Sequence, residues 1–247
     1  MPRSAGDTWT ITTSVGFTAL AACAARALDA ALEPPLANDE YAARFVGAAG
    51  EASLADAVAN TDMTCAAAFN ARWVGVRTRF FDDFFNLAAT SGIRQVVILA
   101  AADLREDWPG SLREAGLDPA VPTVWALEGL LPYLPGAAQD QLFERLHEMS
   151  ANGSRLAAEL GPDPGEPLQI AESLSGIAAD STQPNIVELW YDDPRRNTKE
   201  WLAERDWAVT ATDLVDKAAE YGRGFRGLPS AFDHLLRTKF FTAILTQ

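Results

Sequence analysis

The chain has 247 residues, of which 34 are acidic and 20 basic, and its formal net charge is −14. A hydrophobic fraction of 48% is that of a globular protein with a substantial core, and the length suits one large domain. The negative field repels phosphate backbones and anionic lipid. We therefore expect neither nucleic acid nor a membrane as partner, while a small neutral or zwitterionic ligand is compatible with this charge.

The two cysteines and the most apolar stretch point to no special compartment. Cys23 and Cys65 are too few for a disulfide framework and have no metal-ligand spacing, so each is expected to act as a small apolar group. The stretch 15–32 contains Arg26 and Asp29 and is preceded by few basic residues, unlike a signal peptide or a transmembrane helix. A cytoplasmic location is expected.

The first third of the chain is predicted to be helical. Ser14 is expected to cap a helix over residues 15–32, which the following prolines end. Weaker helical patterns cover residues 39–48 and 51–70. Apolar residues then recur at the i, i+3, i+4 spacing between positions 76 and 88, which predicts an amphipathic helix with a phenylalanine-rich buried face.

Strands and helices alternate through the rest of the chain. Short apolar runs at 95–100, 122–127 and 154–160 predict buried strands, with helices over 109–116 and 135–149 between them. The segment 161–184, rich in Gly, Pro, Ser and acidic residues, is predicted to be a loop or flexible cover. Beyond it we predict a helix at 201–204, a strand at 207–212, a helix at 214–221 and a strand at 239–245. This alternation predicts an α/β fold with a mainly parallel sheet.

Ligands of open α/β sheets bind at the carboxyl ends of the strands, and this selects the candidate site residues. Asp103 follows the first strand and Glu128 the second, and either carboxylate suits a ribose hydroxyl or an adenine amino group. Asp103 is equally compatible with a helix N-cap or a salt bridge. Arg77 lies on the phenylalanine-rich helix, where a surface arginine is also common. His147 and His234 have no partner motif and are expected to pack or face solvent.

Several segments match one known family in order and nearly from end to end. They are residues 7–9 and 13–16, 76–85, 94–100, 103–109, 128–134 and 201–207. The chain resembles the actinobacterial S-adenosyl-L-methionine-dependent methyltransferases that are related to the leucine carboxyl methyltransferases.

The resemblance implies a Rossmann-like class I methyltransferase sheet with an N-terminal helical cap. It implies S-adenosyl-L-methionine as cofactor and methyl transfer to an oxygen of a small-molecule acceptor. Matched residue by residue, Asp103 and Leu104 contact the adenine side of the cofactor, and Glu128 is the strand-end glutamate near it. Arg77 pairs with the methionine carboxylate. We expect a single domain over 1–247, with a cap at 1–75 and an α/β core at 76–247 that includes a variable cover at 161–190.

The sequence departs from the family pattern after the first strand. The Gly-Leu-Asp-x-Arg loop and the later Glu-x-Asp-x-Pro segment are both missing, and the chain runs from the strand directly to Asp103. About two β/α units are absent, so we expect a shortened sheet with an exposed flank and reduced cofactor affinity. Such a flank favours a homo-oligomer. The alternative function is a non-catalytic methyltransferase remnant that acts by self-association or partner binding.

Overall fold

The computed structural model describes residues 10–60, 63–99, 104, 107–160, 166–178 and 189–246. Its contacts divide the chain into two compact units, each assembled from separate stretches of sequence. Unit 1 comprises residues 1–80, 165–190 and 214–237. Unit 2 comprises residues 81–164, 191–213 and 238–247.

The described part of unit 1 is helical. Its elements are α1 (Ser14–Asp29), α2 (Ala42–Ala49), α3 (Ala52–Ala59), the first part of α4 (Cys65–Thr90), α7 (Glu166–Ala178) and α9 (Leu214–Glu220). Helix α1 packs against α2 and α3 through Phe17, Leu20, Val46 and Leu54, which are all buried. The Phe69 ring of α4 stacks on Phe232 with centroids 4.4 Å apart. The expected N-terminal helices are therefore confirmed.

Three local predictions in unit 1 were wrong. Ser14 is the first residue of α1 rather than its cap, because Thr13 has the extended backbone of an N-cap. The segment 51–70 is two helices, since Asn60 is extended and ends α3. The predicted loop 161–184 contains α7, whose Ile170 is only 1% exposed, so burial outweighs the polar composition.

Unit 2 is built on a mixed five-stranded sheet. Its strands are β1 (Gln95–Ile98), β2 (Thr123–Leu127), β3 (Arg155–Leu160), β4 (Trp207–Asp213) and β5 (Lys239–Leu245), in the spatial order β1-β2-β3-β5-β4. Its helices include α5 (Trp108–Glu114), α6 (Gly136–Glu148) and α8 (Thr198–Ala203). The positions of these elements agree with the sequence predictions, and the α/β fold class is confirmed.

The strand directions agree with the prediction of a mainly parallel sheet, with one exception. Strands β1, β2, β3 and β4 all run in the same direction, and β5 is antiparallel to both of its neighbours, β3 and β4. The alternation of strands and helices along the sequence does not indicate that β5 is inserted between β3 and β4. Every residue of β2 is buried, and Trp125 in its centre is paired with Val97 of β1 and Leu156 of β3.

Strand β1 lies at an edge of the sheet. Among the described residues its only strand partner is β2. Val97 points into the core, but Val96 and Ile98 are 51% and 56% exposed on the opposite face. Apolar side chains at this exposure are unusual for a strand of an α/β sheet, which is normally covered on both faces. The exposed flank thus agrees with the loss of neighbouring β/α units.

Candidate functional site

The carboxyl ends of β1 and β2 lie at the same edge of the sheet, because the two strands are parallel. After β1, Leu99 donates its backbone N–H to Ala126 of β2 at 3.0 Å and continues the pairing. Leu104 is partly buried and packs against the core of unit 2. The adjoining Asp103 lies outside the described residues, so its assignment stays a prediction.

Glu128 follows the last residue of β2 directly. The strand is fully buried whereas Glu128 is half-buried, so its carboxylate lies where the core meets solvent. Gly129 has φ of +62°, a left-handed conformation that turns the chain at the end of the strand. A half-buried carboxylate at this position suits hydroxyl or amino donors of a ligand.

The loop after Glu128 is held by Arg195, a residue that the sequence analysis did not single out. The Arg195 guanidinium donates to the carbonyl oxygens of Leu131 and Leu134, both at 3.2 Å, and to that of Tyr191 at 3.1 Å. It also donates to the Gln139 side chain at 3.3 Å. Through these hydrogen bonds, Arg195 connects the segment after Glu128 to α6 and to its own loop.

Two further hydrogen bonds join the same segments. Tyr191 donates its backbone N–H to the carbonyl oxygen of Pro132 at 2.9 Å, and Asp193 accepts from the N–H of Gly136 at 2.7 Å. A side chain at Gly136 would meet the Pro194 carbonyl oxygen, since a β-carbon there would lie 2.2 Å from it. We call residues 191–195 the clamp. Its only sequence signal was the charged run Asp192-Asp193-Pro194-Arg195-Arg196.

Arg77 lies in unit 1, on α4, and is not a surface arginine. It is 7% exposed, and its guanidinium carbon is 5.2 Å from the centroid of the Trp73 ring. Burial of a guanidinium is costly unless acceptors or an anion compensate its charge. The assignment of Arg77 to a ligand carboxylate stays a prediction.

The two histidines have no catalytic arrangement in the described structure. The ring of His147 accepts a hydrogen bond at Nδ1 from Trp207 Nε1 at 3.2 Å and lies edge-on to Trp201, which is a packing role. His234 is half-buried in unit 1. Across the part of the chain that the structure describes, no three His, Cys, Asp or Glu side chains are grouped so that they could hold a metal ion. No helix in that part is both long and apolar enough to span a membrane.

The sheet and its polar carboxyl edge define an α/β protein of the Rossmann-like type. The family model of the leucine carboxyl methyltransferases matches residues 19–102 and 100–147. A protein of Mycobacteroides abscessus named "Putative S-adenosyl-L-methionine-dependent methyltransferase" is 53% identical, over 99% of this chain and 98% of its own length. Relatives with the same type of name come from Rhodococcus jostii, at 34% identity, and Mycolicibacterium paratuberculosis, at 33%. Each of these two alignments covers at least 98% of both proteins. The chain belongs to the leucine carboxyl methyltransferase family.

The comparisons also locate a discontinuity. The two matched segments of the family model meet at residues 100–102, directly after β1. The alignment with the 53% identical relative runs over 296 positions, although this chain has only 247 residues. The alignment is longer than the chain because it includes positions at which this chain has no residue. The sequence departs from the family pattern at the same point.

Proposed function

We propose that this protein transfers a methyl group from S-adenosyl-L-methionine to an oxygen atom of a small acceptor molecule. The observation that carries the proposal is its similarity, over nearly the whole of both chains, to a relative that is named as such a methyltransferase. The family model of a carboxyl methyltransferase supports the same reaction class. A small acceptor also agrees with a net charge of −14, which disfavours nucleic acid.

The reaction asks little acid–base chemistry of the protein. When bound, S-adenosyl-L-methionine supplies an electrophilic methyl group on a positively charged sulfur. Transfer would form a bond between this carbon and the acceptor oxygen while the carbon–sulfur bond breaks and leaves its electron pair on sulfur; a hydroxyl acceptor would release its proton to solvent, and an ionised oxygen would have none to release. Alignment of the acceptor and exclusion of water are therefore the main tasks of the chain.

Four residues are proposed to bind different parts of the cofactor. The buried guanidinium of Arg77 suits the methionine carboxylate, and the half-buried Glu128 suits hydroxyl or amino groups. Asp103 and Leu104 are proposed for the adenine side. Leu104 packs on the core of unit 2, which makes it suitable as an apolar contact.

Cofactor binding should be weak. The missing positions after β1 remove the glycine loop and the acidic residue that the family pattern has for the ribose. Each lost hydrogen bond to a charged group costs about 1.5–3 kcal/mol, and each one between neutral groups about half as much. Two or three such losses weaken binding by roughly two to four powers of ten. We expect a dissociation constant nearer millimolar than micromolar.

Titration calorimetry with S-adenosyl-L-methionine tests the proposal. The wild-type chain should show weak binding that Arg77→Ala or Asp103→Ala abolishes and that Glu128→Gln reduces. Glu144→Gln, an exposed position on α6, is the matched control and should bind like the wild type. Absence of any heat and any thermal shift at millimolar ligand contradicts cofactor binding. Micromolar binding that survives Asp103→Ala contradicts the assignment of the site.

A second candidate function is self-association through β1. The N–H of Leu99 points to β2, so strand alternation directs the backbone groups of Val96 and Ile98 away from it. Two copies of β1 in antiparallel pairing would satisfy these groups and bring the exposed side chains of Val96 and Ile98 together. The described residues 93–99 include no acidic side chain, which keeps charge repulsion low there.

Light scattering coupled to size exclusion tests the second candidate. We expect a dimer that Ile98→Lys converts to a monomer, because a lysine on this face brings two positive charges together. Val215→Lys removes an exposed apolar residue from unit 1 and should leave the dimer intact. A wild-type monomer that binds the cofactor would refute the self-association function.

A further inference from the structure

A cleft in unit 1 is lined by an unusual number of arginines. It has a volume of about 360 Å³, and its lining residues are Leu32, Glu33, Arg72, Gly222, Arg223, Gly224 and Arg226. Three of the seven are arginines, in a chain that has 34 acidic and 20 basic residues. Two distant stretches of sequence therefore bring positive charge together within one unit.

One wall of the cleft is rigid and electrically neutral. Arg223 is 8% exposed, and its Nη1 atom lies 3.0 Å from Oδ1 of the fully buried Asp29. The other oxygen of Asp29 accepts from the N–H groups of Leu36 and Ala37 at 2.8 and 2.6 Å. Arg223 also donates to the carbonyl oxygen of Pro34. Because its charge is compensated, Arg223 builds the wall but does not supply the cleft's excess positive charge.

The excess charge comes from Arg72 and Arg226. Nη1 of Arg72 donates to the carbonyl oxygens of Gly224 and Arg226, both at 3.3 Å, which holds the half-buried guanidinium at the cleft. A guanidinium has five N–H donors, so most of those on Arg72 stay available. Neither Arg72 nor Arg226 has a carboxylate partner within the described parts of the chain. Among the described residues of the lining, Glu33 is the one that is acidic.

We propose that this cleft binds a small molecule that carries a carboxylate or phosphate group. Guanidinium groups bind both anions through paired hydrogen bonds. The volume lies at the small end of ligand pockets, which favours a metabolite-sized ligand over a polymer. The acidic character of the whole chain does not prevent this, because salt screens charges beyond about 8 Å at physiological ionic strength. This site is independent of the proposed methyl transfer.

Two simple anions test the proposal on the full-length protein. Titration calorimetry at physiological ionic strength should detect binding of citrate or of inorganic phosphate, and the stronger of the two identifies carboxylate or phosphate as the preferred group. Arg72→Gln combined with Arg226→Gln should weaken that binding by roughly ten-fold or more. Arg44→Gln, an exposed arginine on α2 of the same unit, is the control for overall charge and should change it little.

Glu33→Gln supplies a test that misfolding cannot imitate. Removal of the only carboxylate in the lining should tighten anion binding by about two- to five-fold. The proposal is overturned if neither anion binds at tens of millimolar concentration. It is also overturned if Arg44→Gln weakens binding as much as the double substitution, or if Glu33→Gln leaves it unchanged.

Discussion

Gly75 on α4 has no side chain, and this leaves room for the buried carboxylate of Asp29 to pack against the helix. A β-carbon at Gly75 would lie 2.3 Å from Oδ1 of Asp29, far closer than a non-bonded contact. Asp29 is fully buried and bound to Leu36, Ala37 and Arg223, so it has no room to move aside. The glycine is therefore required by the close approach, although it weakens the helix.

Alanine should consequently have opposite effects at two helical glycines of unit 1. Gly75→Ala should lower the free energy of unfolding by about 1–3 kcal/mol, because overpacking outweighs the gain in helix propensity. Gly47→Ala, on α2, meets nothing within 4 Å and should raise it by about 0.5–1 kcal/mol. Denaturant titrations of both variants check this. A stabilising Gly75→Ala would show that Asp29 can reposition.

Alanine substitutions at two neighbouring arginines, Arg195 and Arg196, should lower the free energy of unfolding by different amounts. Arg195→Ala removes the central side chain of the clamp and should cost about 2–3 kcal/mol, because several buried carbonyl oxygens lose a charged donor. Arg196→Ala breaks only a 3.1 Å ion pair with Asp140 on a 57% exposed side chain, and should cost less than about 1 kcal/mol. Urea denaturation of the two variants measures this difference. Equal losses would contradict the role given to the clamp.

The junction between α1 and α2 contains a carboxylate whose pKa is lowered. Burial raises the pKa of Asp39, but the opposing interactions outweigh it. These are the hydrogen bond and charge of Arg26 and the N–H groups of Tyr41 and Ala42. The Arg26 Nε atom is 2.8 Å from Asp39 Oδ2. Because the folded-state pKa lies below the ordinary value, the ionised group contributes stability above about pH 4. That contribution is lost as the pH falls through the folded pKa.

Asp39→Asn should therefore reduce stability near neutral pH and have little effect well below pH 4. The expected loss at pH 7 is at most about 1 kcal/mol, since the pair is partly exposed. Thermal unfolding at pH 7 and near pH 3 measures the difference. Asp56→Asn, at an exposed position on α3, is the control for the loss of one negative charge. A loss of equal size at both pH values would contradict the ionic origin of the effect.

The elements differ in how far their sequence alone defined them. Strand β2 was predictable because it is a short apolar run that follows a proline. Helix α6 was predictable because its apolar residues follow the helical period after Pro135, and Leu142, Phe143 and Leu146 are indeed buried. Helix α7 was not predictable, because a polar composition concealed the burial of Ile170.

The residues of the candidate site also differ in whether the sequence alone could predict them. Glu128 was recognisable from its position at the end of a buried strand. The clamp was not, because Arg195 holds the segment after Glu128 through carbonyl oxygens of Leu131 and Leu134, which lie more than 60 positions earlier in the chain. The antiparallel insertion of β5 was also hidden, since pairing partners distant in sequence leave no local pattern.

At the scale of the whole molecule, the match to the family model is divided at one point of the chain. The family model breaks at residues 100–102, and β1 is left at the edge of the sheet. A chimera therefore provides a direct test. The segment of the Mycobacteroides abscessus relative that aligns with the missing positions would be inserted after Leu99.

The chimera should bind S-adenosyl-L-methionine roughly two to four powers of ten more tightly than the present chain, as calorimetry can measure. It should also cover the exposed Val96 and Ile98, so that light scattering reports a monomer. An inserted segment of equal length and scrambled sequence is the control. If the true chimera folds and binds no better than the scrambled one, the missing positions do not explain weak binding.

The order of the strands has a consequence for the synthesis of this protein. Within the described parts of the chain, strand β4 joins the sheet only through β5, and β5 follows it by about 25 residues. While the ribosome is still adding residues 239–245, β4 has no strand to pair with and β3 has an open edge. Strands β1 to β3 can form first, but unit 2 closes only after translation of the final strand. The sheet of the nascent chain is therefore incomplete until residues 239–245 have been made. Until then its open strand edges can recruit chaperones or aggregate.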